Sequence, residues 1–490
     1  MNLLDKDLIS MQEARILAEQ GHEAQKKLAR FSQEQLDQIV EAIAQEMEQH
    51  VEELAHLSQE ETYYGCWQDK VIKNRFACTV LPQRLRGMRC VGMIAEDKAN
   101  GTADVGVPLG IILALPPATS PVSATISMIL LGLKAGNAVV ISPHPRAAST
   151  IGRTMDWAIA AAERSGLPKG ALAYLHTVTE AGQKELMQHK AIALILNTGV
   201  AEALEQCHAS GKPFIYGGNG HGPAFIERTA DLQQAAADIV LSKQFDCGMG
   251  VAAEQAVVVD SCVAENVRRE FESRGAYFLS EEETQRLGTR LFPKERLDVE
   301  LIGQSAETLA SKAGITVPDG TKLLIAVQSH VPLDEGYRRE LLCPVLAWYV
   351  EEDWRHACEK CIELLLTEGT GHTLVIHSRD EHVIRQFALQ KPVGRVLINT
   401  PAVLGSMGMT TNLFPAVTLG SGSVGQGITA DNVSPKNLIY IRKVGYGVRK
   451  GEQALAKLGD ERQRETIKEE LTLEQMVRLL LERELRQNSL

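Results

Sequence analysis

The chain has 490 residues and a net charge of −11, with 44% hydrophobic and 23% charged residues. That length holds about two to four domain-sized units around a large core, and the acidic balance argues against binding to nucleic acid or an anionic membrane. The nine cysteines (Cys66, Cys78, Cys90, Cys207, Cys247, Cys262, Cys343, Cys358 and Cys361) are scattered and odd in number, the start lacks a secretory pattern, and no apolar run reaches the ~18 residues of a bilayer span, so a reduced, cytoplasmic protein is expected.

Residues 8–60 read as helix, because Leu17, Leu28, Ile39, Ile43 and Met47 recur at roughly helical spacing. A βα alternation follows. Gly110–Leu115 is a short apolar run ending in Pro116-Pro117, Val122–Leu133 reads as helix, and Ala138–Ile141 as the next strand. Helix is expected over 150–165 and strand over Ala191–Leu196, which ends at Asn197-Thr198-Gly199. Such alternation predicts a doubly wound α/β domain that binds ligands at the carboxyl ends of its strands.

The Gly-rich run Tyr216–Pro223 marks a crossing into a second α/β region over 224–410. Its strand candidates are Ala256–Val259, Lys322–Val327, Leu374–Ile376 and Arg395–Ile398. Cys358 and Cys361 form a lone CxxC on a helical segment, with no second pair at zinc-finger spacing, so no metal is expected. After residue 448 the chain becomes densely charged. Leu473, Met476, Val477, Leu480, Leu481 and Leu485 mark one face of a helix behind Thr472 as N-cap, an element suited to docking or to packing on its own subunit.

One stretch identifies a family. Phe245-Asp246-Cys247-Gly248-Met249-Gly250-Val251-Ala252-Ala253-Glu254-Gln255 resembles the nucleophile loop of CoA-acylating aldehyde dehydrogenases, Phe-Asp-Asn-Gly-x-x-Cys-Ala-x-Glu-Gln. The likeness spans roughly residues 5–447. It includes Gln68–Asn74, Val107–Gly110, Asn137-Ala138 with Ser142-Pro143-His144-Pro145, Glu340–Leu346, Gly371-His372-Thr373, Gly394–Pro401 and Asp431-Asn432-Val433, in order. The resemblance implies the aldehyde dehydrogenase fold: a Rossmann-like NAD-binding domain over 1–223, a catalytic α/β domain over 224–410, and an oligomerisation arm over 411–447. A linker and amphipathic helix would fill 448–490. It also implies a homo-oligomer, and in some members residence in a bacterial microcompartment.

The reaction so implied converts an aldehyde, CoA and NAD+ to an acyl-CoA and NADH through a cysteine thiohemiacetal. Implied cofactor contacts are Ser142, Pro143, His144, Thr198, Gly199 and the ribose-holding Glu340, with His372 as an acid/base near the CoA thiol. Four matched positions depart. Val251 stands at the nucleophile position, Ser120 at the oxyanion Asn, Val200 at the second Gly of Thr-Gly-Gly, and His221 at an Asn before the domain crossing. Lost or strongly altered activity and weakened NAD binding are therefore expected. Two alternatives stay open: a non-catalytic assembly partner or microcompartment cargo, and an active enzyme whose nucleophile has moved to Cys247.

Overall fold

The computed structural model describes residues 5–293, 296–331, 336–367, 372–458, 473–478 and 480–481. The chain forms two units, one of Met1–Gly92 with Gly106–Tyr440 and one of Met93–Val105 with Ile441–Leu490.

The first unit opens with helices. Asp5 caps the N–H groups of Asp7 and Leu8 to start Lys6–Leu28. Ser32 and Gln35 then form a capping box that opens Gln33–Glu48, and a further helix covers Val51–Thr62. The helical stretch expected over 8–60 is thus three helices, the second of which starts where a Ser-x-x-Gln pair satisfies orphan N–H groups.

A five-stranded sheet follows, with strand order Leu172–Tyr174, Ala138–Ile141, Ile111–Leu115, Ile192–Asn197, Phe214–Tyr216. All four of its strand pairings are parallel. Both Ile111–Leu115 and Ala138–Ile141 are buried along their whole length, as strands covered on both faces must be. Asn137 pins the edge of the Ala138 strand. Its Oδ1 accepts the Gly110 N–H at 3.1 Å and its Nδ2 donates to the Leu438 carbonyl at 2.8 Å.

The second sheet has seven strands, in the order Ala276–Phe278, Leu323–Val327, Val345–Glu351, Ala256–Asp260, Pro223–Ile226, Thr373–His377, Arg395–Ile398. Its pairings are also parallel. Alternate residues feed two cores, one on each face. Phe225, Val258 and Leu324 belong to one, while Ala224, Ile226, Val257 and Val259 belong to the other. Helix Trp354–Thr367 carries Cys358 and Cys361, both buried and reduced.

The second unit contains most of a three-stranded sheet, Gly92–Asp97, Thr102–Pro108 and Ile439–Gly445 in that order. Lys443 Nζ is held there by Asp104 at 2.8 and 2.9 Å. In the tail, Leu473, Met476, Val477, Leu480 and Leu481 are all exposed. The expected cap Thr472 and Leu485 lie outside the described residues. Among those residues, no helix is long and apolar enough to cross a membrane.

Candidate active-site cleft

Three strand ends of the five-stranded sheet open into one cleft of about 650 Å³. Its walls are the segments that leave those strands, Leu115–Ser120, Ser142–Arg146 and Thr198–Ala203. Opposite them stand Met249–Ala252, Glu340, Leu342 and Val403. This is where a parallel sheet collects ligands, since strand carboxyl ends and helix amino ends meet there.

All six residues expected to hold a cofactor line this cleft: Ser142, Pro143, His144, Thr198, Gly199 and Glu340. The Ser142 hydroxyl is buried and has no partner, the kind of polar atom that a ligand hydroxyl would satisfy. His144 Nδ1 accepts the Arg146 N–H at 3.1 Å, and burial lowers the basicity of its ring. Thr198 shares a 2.6 Å hydrogen bond with Thr418, and Gly199 turns the chain with φ +80°. Glu340 Oε1 accepts the Gly220 N–H at 2.7 Å. An extended site of this size, with an orphaned hydroxyl on its wall, fits a dinucleotide.

Val200 also lines the cleft but is only 8% exposed. Asn197 grips it from both sides, accepting its N–H at 2.7 Å and donating to its carbonyl at 2.9 Å. His221 is buried away from the cleft wall, and burial lowers its ring to about 4, so it stays neutral.

At the other end, Val251 and Ser120 both stand on the cleft wall. Val251 packs with Ala252, Ala416 and Leu419. Two other expected catalytic residues are not brought there. Cys247 is absent from the cleft lining, and burial, reinforced by the Asp246 and Asp69 carboxylates, pushes its thiol up to about 11. His372 is 1% exposed and also off the wall; its Nδ1 meets Thr373 Oγ1 at 2.8 Å, and burial drives its ring well below the ordinary basicity. None of the nine cysteines lines the cleft.

The loop reaches Val251 through a left-handed turn, with φ of 47° at Asp246, 55° at Cys247 and 74° at Gly248. Beneath it lies a charge cluster that motif reading did not bring out. Lys70 Nζ donates to buried Asp246 Oδ2 at 3.1 Å, and Lys73 pairs with the same oxygen. Burial alone would raise the Asp246 carboxyl, but the two ammonium groups outweigh it and hold the carboxyl below its ordinary range. Asp246 Oδ1 accepts the Cys66 N–H at 3.0 Å, and its own N–H donates to Asp69 at 2.7 Å. The sequence signal was the polar face of helix Trp67–Arg75, where Lys70 and Lys73 stand three apart and are both buried.

Chemically, the apolar end offers a hydroxyl and a fixed cation but no thiol. An isopropyl group cannot form a thiohemiacetal, so Val251 blocks a covalent route from its own position.

Comparison with known proteins gives a consistent picture. A family model described as "Aldehyde dehydrogenase family" matches residues 7–293. A crystal structure of a probable aldehyde dehydrogenase from Listeria monocytogenes EGD-e superposes with TM-score 0.90 at 45% identity, covering 92% of this chain and 100% of that one. An acetylating aldehyde dehydrogenase from Geobacillus thermoglucosidasius gives TM-score 0.89 at 37% identity, covering 91% and 99%. The bifunctional aldehyde-alcohol dehydrogenase AdhE of Escherichia coli (strain K12) is 36% identical over 437 residues, 88% of this chain and 49% of that protein. The chain thus spans about half the length of the curated relatives it matches first.

Proposed function

Because this chain belongs to the aldehyde dehydrogenase family, we propose that it keeps the ligand cleft of an acylating member but has lost that member's covalent step. The ligands in this reading are NAD, CoA and a small aldehyde or acyl group. One observation carries it: Val251 stands on the cleft wall and no cysteine does. Cys247 is a poor substitute. It is off the wall, and a thiol at about 11 is almost wholly protonated near neutrality.

The residues that would hold the dinucleotide are Ser142, Pro143, His144, Thr198, Gly199 and Glu340. When bound, that group would accept the hydride in the family's reaction. Here the chain's own contribution is to bind and orient. Ser142 and Glu340 offer polar contacts, and Phe245, Met249, Val403 and Met407 keep the far end apolar. Val200, with a branched side chain in place of hydrogen, weakens the dinucleotide's approach in this reading.

The decisive measurement is NADH formation by the purified chain given acetaldehyde or propionaldehyde, CoA and NAD+. The expected result is none above background. Turnover near ~10 per second would overturn the proposal.

A second reading runs alongside, on the exposed stripe Leu473, Met476, Val477, Leu480 and Leu481. Its spacing suits an amphipathic docking helix. The chain would then serve as an assembly subunit in a homo-oligomer or as cargo attached to a protein partner, a microcompartment shell included.

A further inference from the structure

Lys73 lies at the meeting point of the buried charge cluster and the cleft. Its Nζ pairs with Asp246 Oδ2, donates to Ser120 Oγ at 2.8 Å and donates to the Thr119 carbonyl at 3.1 Å. An ammonium has three protons, so all three are committed. Lys73 therefore lines the cleft without a proton to offer a ligand directly.

Ser120 is in the opposite position. It precedes helix Pro121–Lys134, where a serine would ordinarily cap backbone N–H groups, yet its side chain makes no cap bond. Lys73 occupies one lone pair of Oγ instead. Among the described residues, the Ser120 hydroxyl proton has no acceptor, and the residue faces the cleft. A hydroxyl that accepts from a cation is a stronger donor, because the two hydrogen bonds polarise each other. Around it, Val251, Met249, Phe245 and Met407 give the cleft an apolar lining. A lone donor in such surroundings selects a neutral group with an exposed acceptor, which describes the carbonyl of an aldehyde or thioester.

We propose that Lys73, anchored by Asp246, is a positioning residue that turns the Ser120 hydroxyl into the hydrogen-bond donor for a ligand's carbonyl oxygen. The proposal rests on the reading that the cleft takes a CoA-linked acyl group. It goes further by making Lys73 the group that orients the donor at position 120, where the family motif has its oxyanion Asn.

The test compares three probes by calorimetry on the full chain: CoA, acetyl-CoA and S-ethyl-CoA, a thioether of nearly the same shape that lacks the carbonyl. The expected result is acetyl-CoA bound about tenfold more tightly than S-ethyl-CoA, the worth of one such hydrogen bond. Ser120→Ala, which leaves the Lys73–Asp246 pair in place, should bring the two to equal affinity. Lys73→Met should do the same. Because that change orphans a buried carboxylate, Lys73→Met combined with Asp246→Asn provides a version with no uncompensated charge. Isotope-edited infrared spectra of bound acetyl-CoA labelled at the carbonyl carbon give an independent readout. The band should fall in frequency in the unaltered chain and return toward its solution position in each variant.

A purely structural Lys73 would weaken all three probes alike and leave the band in place, which would overturn the proposal. Equal affinities for acetyl-CoA and S-ethyl-CoA in the unaltered chain would also overturn it, while leaving the cleft reading intact. Failure of CoA itself to bind would remove the cleft reading and the proposal together.

Discussion

Glu340 and Gly220 are fastened to each other, the Gly220 N–H donating to Glu340 Oε1 at 2.7 Å. The same glycine presses against the loop, so that a Cβ added there would lie 1.7 Å from the Val251 carbonyl oxygen and 3.2 Å from Glu340 Oε1. Gly220→Ala must therefore displace backbone, not a flexible side chain. A loss of about 1–3 kcal/mol in denaturant unfolding is expected, and an unchanged midpoint would count against so close an approach.

Restoring a thiol at the cleft wall should restore reactivity. Val251→Cys is expected to be alkylated by iodoacetamide at residue 251 and to produce NADH from propionaldehyde. Adding Ser120→Asn should raise that rate by a further ~10²-fold, the usual worth of an oxyanion donor. Peptide mapping that finds alkylation at Cys247 and none at residue 251 would contradict this placement.

Dinucleotide binding gives a third check. If the Val200 side chain obstructs the cofactor, Val200→Gly should tighten NAD binding by about tenfold, or ~1.4 kcal/mol. Calorimetry showing equal affinity would mean that the valine fits a site already adapted to it.

Glu254 makes stability depend on pH. Burial pushes its carboxyl up to about 7, against hydrogen bonds from Ser242 and the Ala402 N–H. A carboxyl raised in the folded state favours folding while protonated. Its contribution is full below the unfolded value of ~4.3 and is lost as pH climbs to 7. Relative to Glu254→Gln, the natural chain should lose about 2–3 kcal/mol between about pH 5 and about pH 8. Parallel urea titrations with the same difference at both pH values would refute the shift.

For the tail, deletion of residues 452–490 should leave the thermal midpoint of the remaining chain unchanged, because Leu473, Met476, Val477, Leu480 and Leu481 are all exposed. Loss of soluble folded protein would instead mean that the helix packs on the body.

The long βα alternation was legible in the sequence because its central strands are apolar along their length. Ala138–Ile141 falls where it was expected, and so does Arg395–Ile398, although the latter is an edge strand and only partly buried. Strands of three residues, such as Leu172–Tyr174 and Phe214–Tyr216, were not, because three residues carry too little periodicity. Ser142, Pro143, His144, Thr198 and Gly199 were legible as cleft-lining positions because they directly follow the strands Ala138–Ile141 and Ile192–Asn197. Lys70 and Lys73 did not. Charged residues on a polar helix read as solvated, and only tertiary packing against Asp246 reveals them as buried. The direction of Cys247 was hidden for another reason: counting residues cannot tell an extended segment from one that coils back on itself.

That coiling assigns position 247 a stereochemical duty. With φ 55° and ψ 39°, its backbone adopts the mirror-image helical conformation, which L-residues avoid and asparagine tolerates better than most. The Asn of the family motif can thus be understood as a choice of handedness, and the cysteine that replaces it as a less comfortable occupant of the same bend. Cys247→Asn or Cys247→Gly would then relax the polypeptide without touching the chemistry, and the sulfur that looked like a displaced reagent becomes a side chain tolerated at a torsional bottleneck.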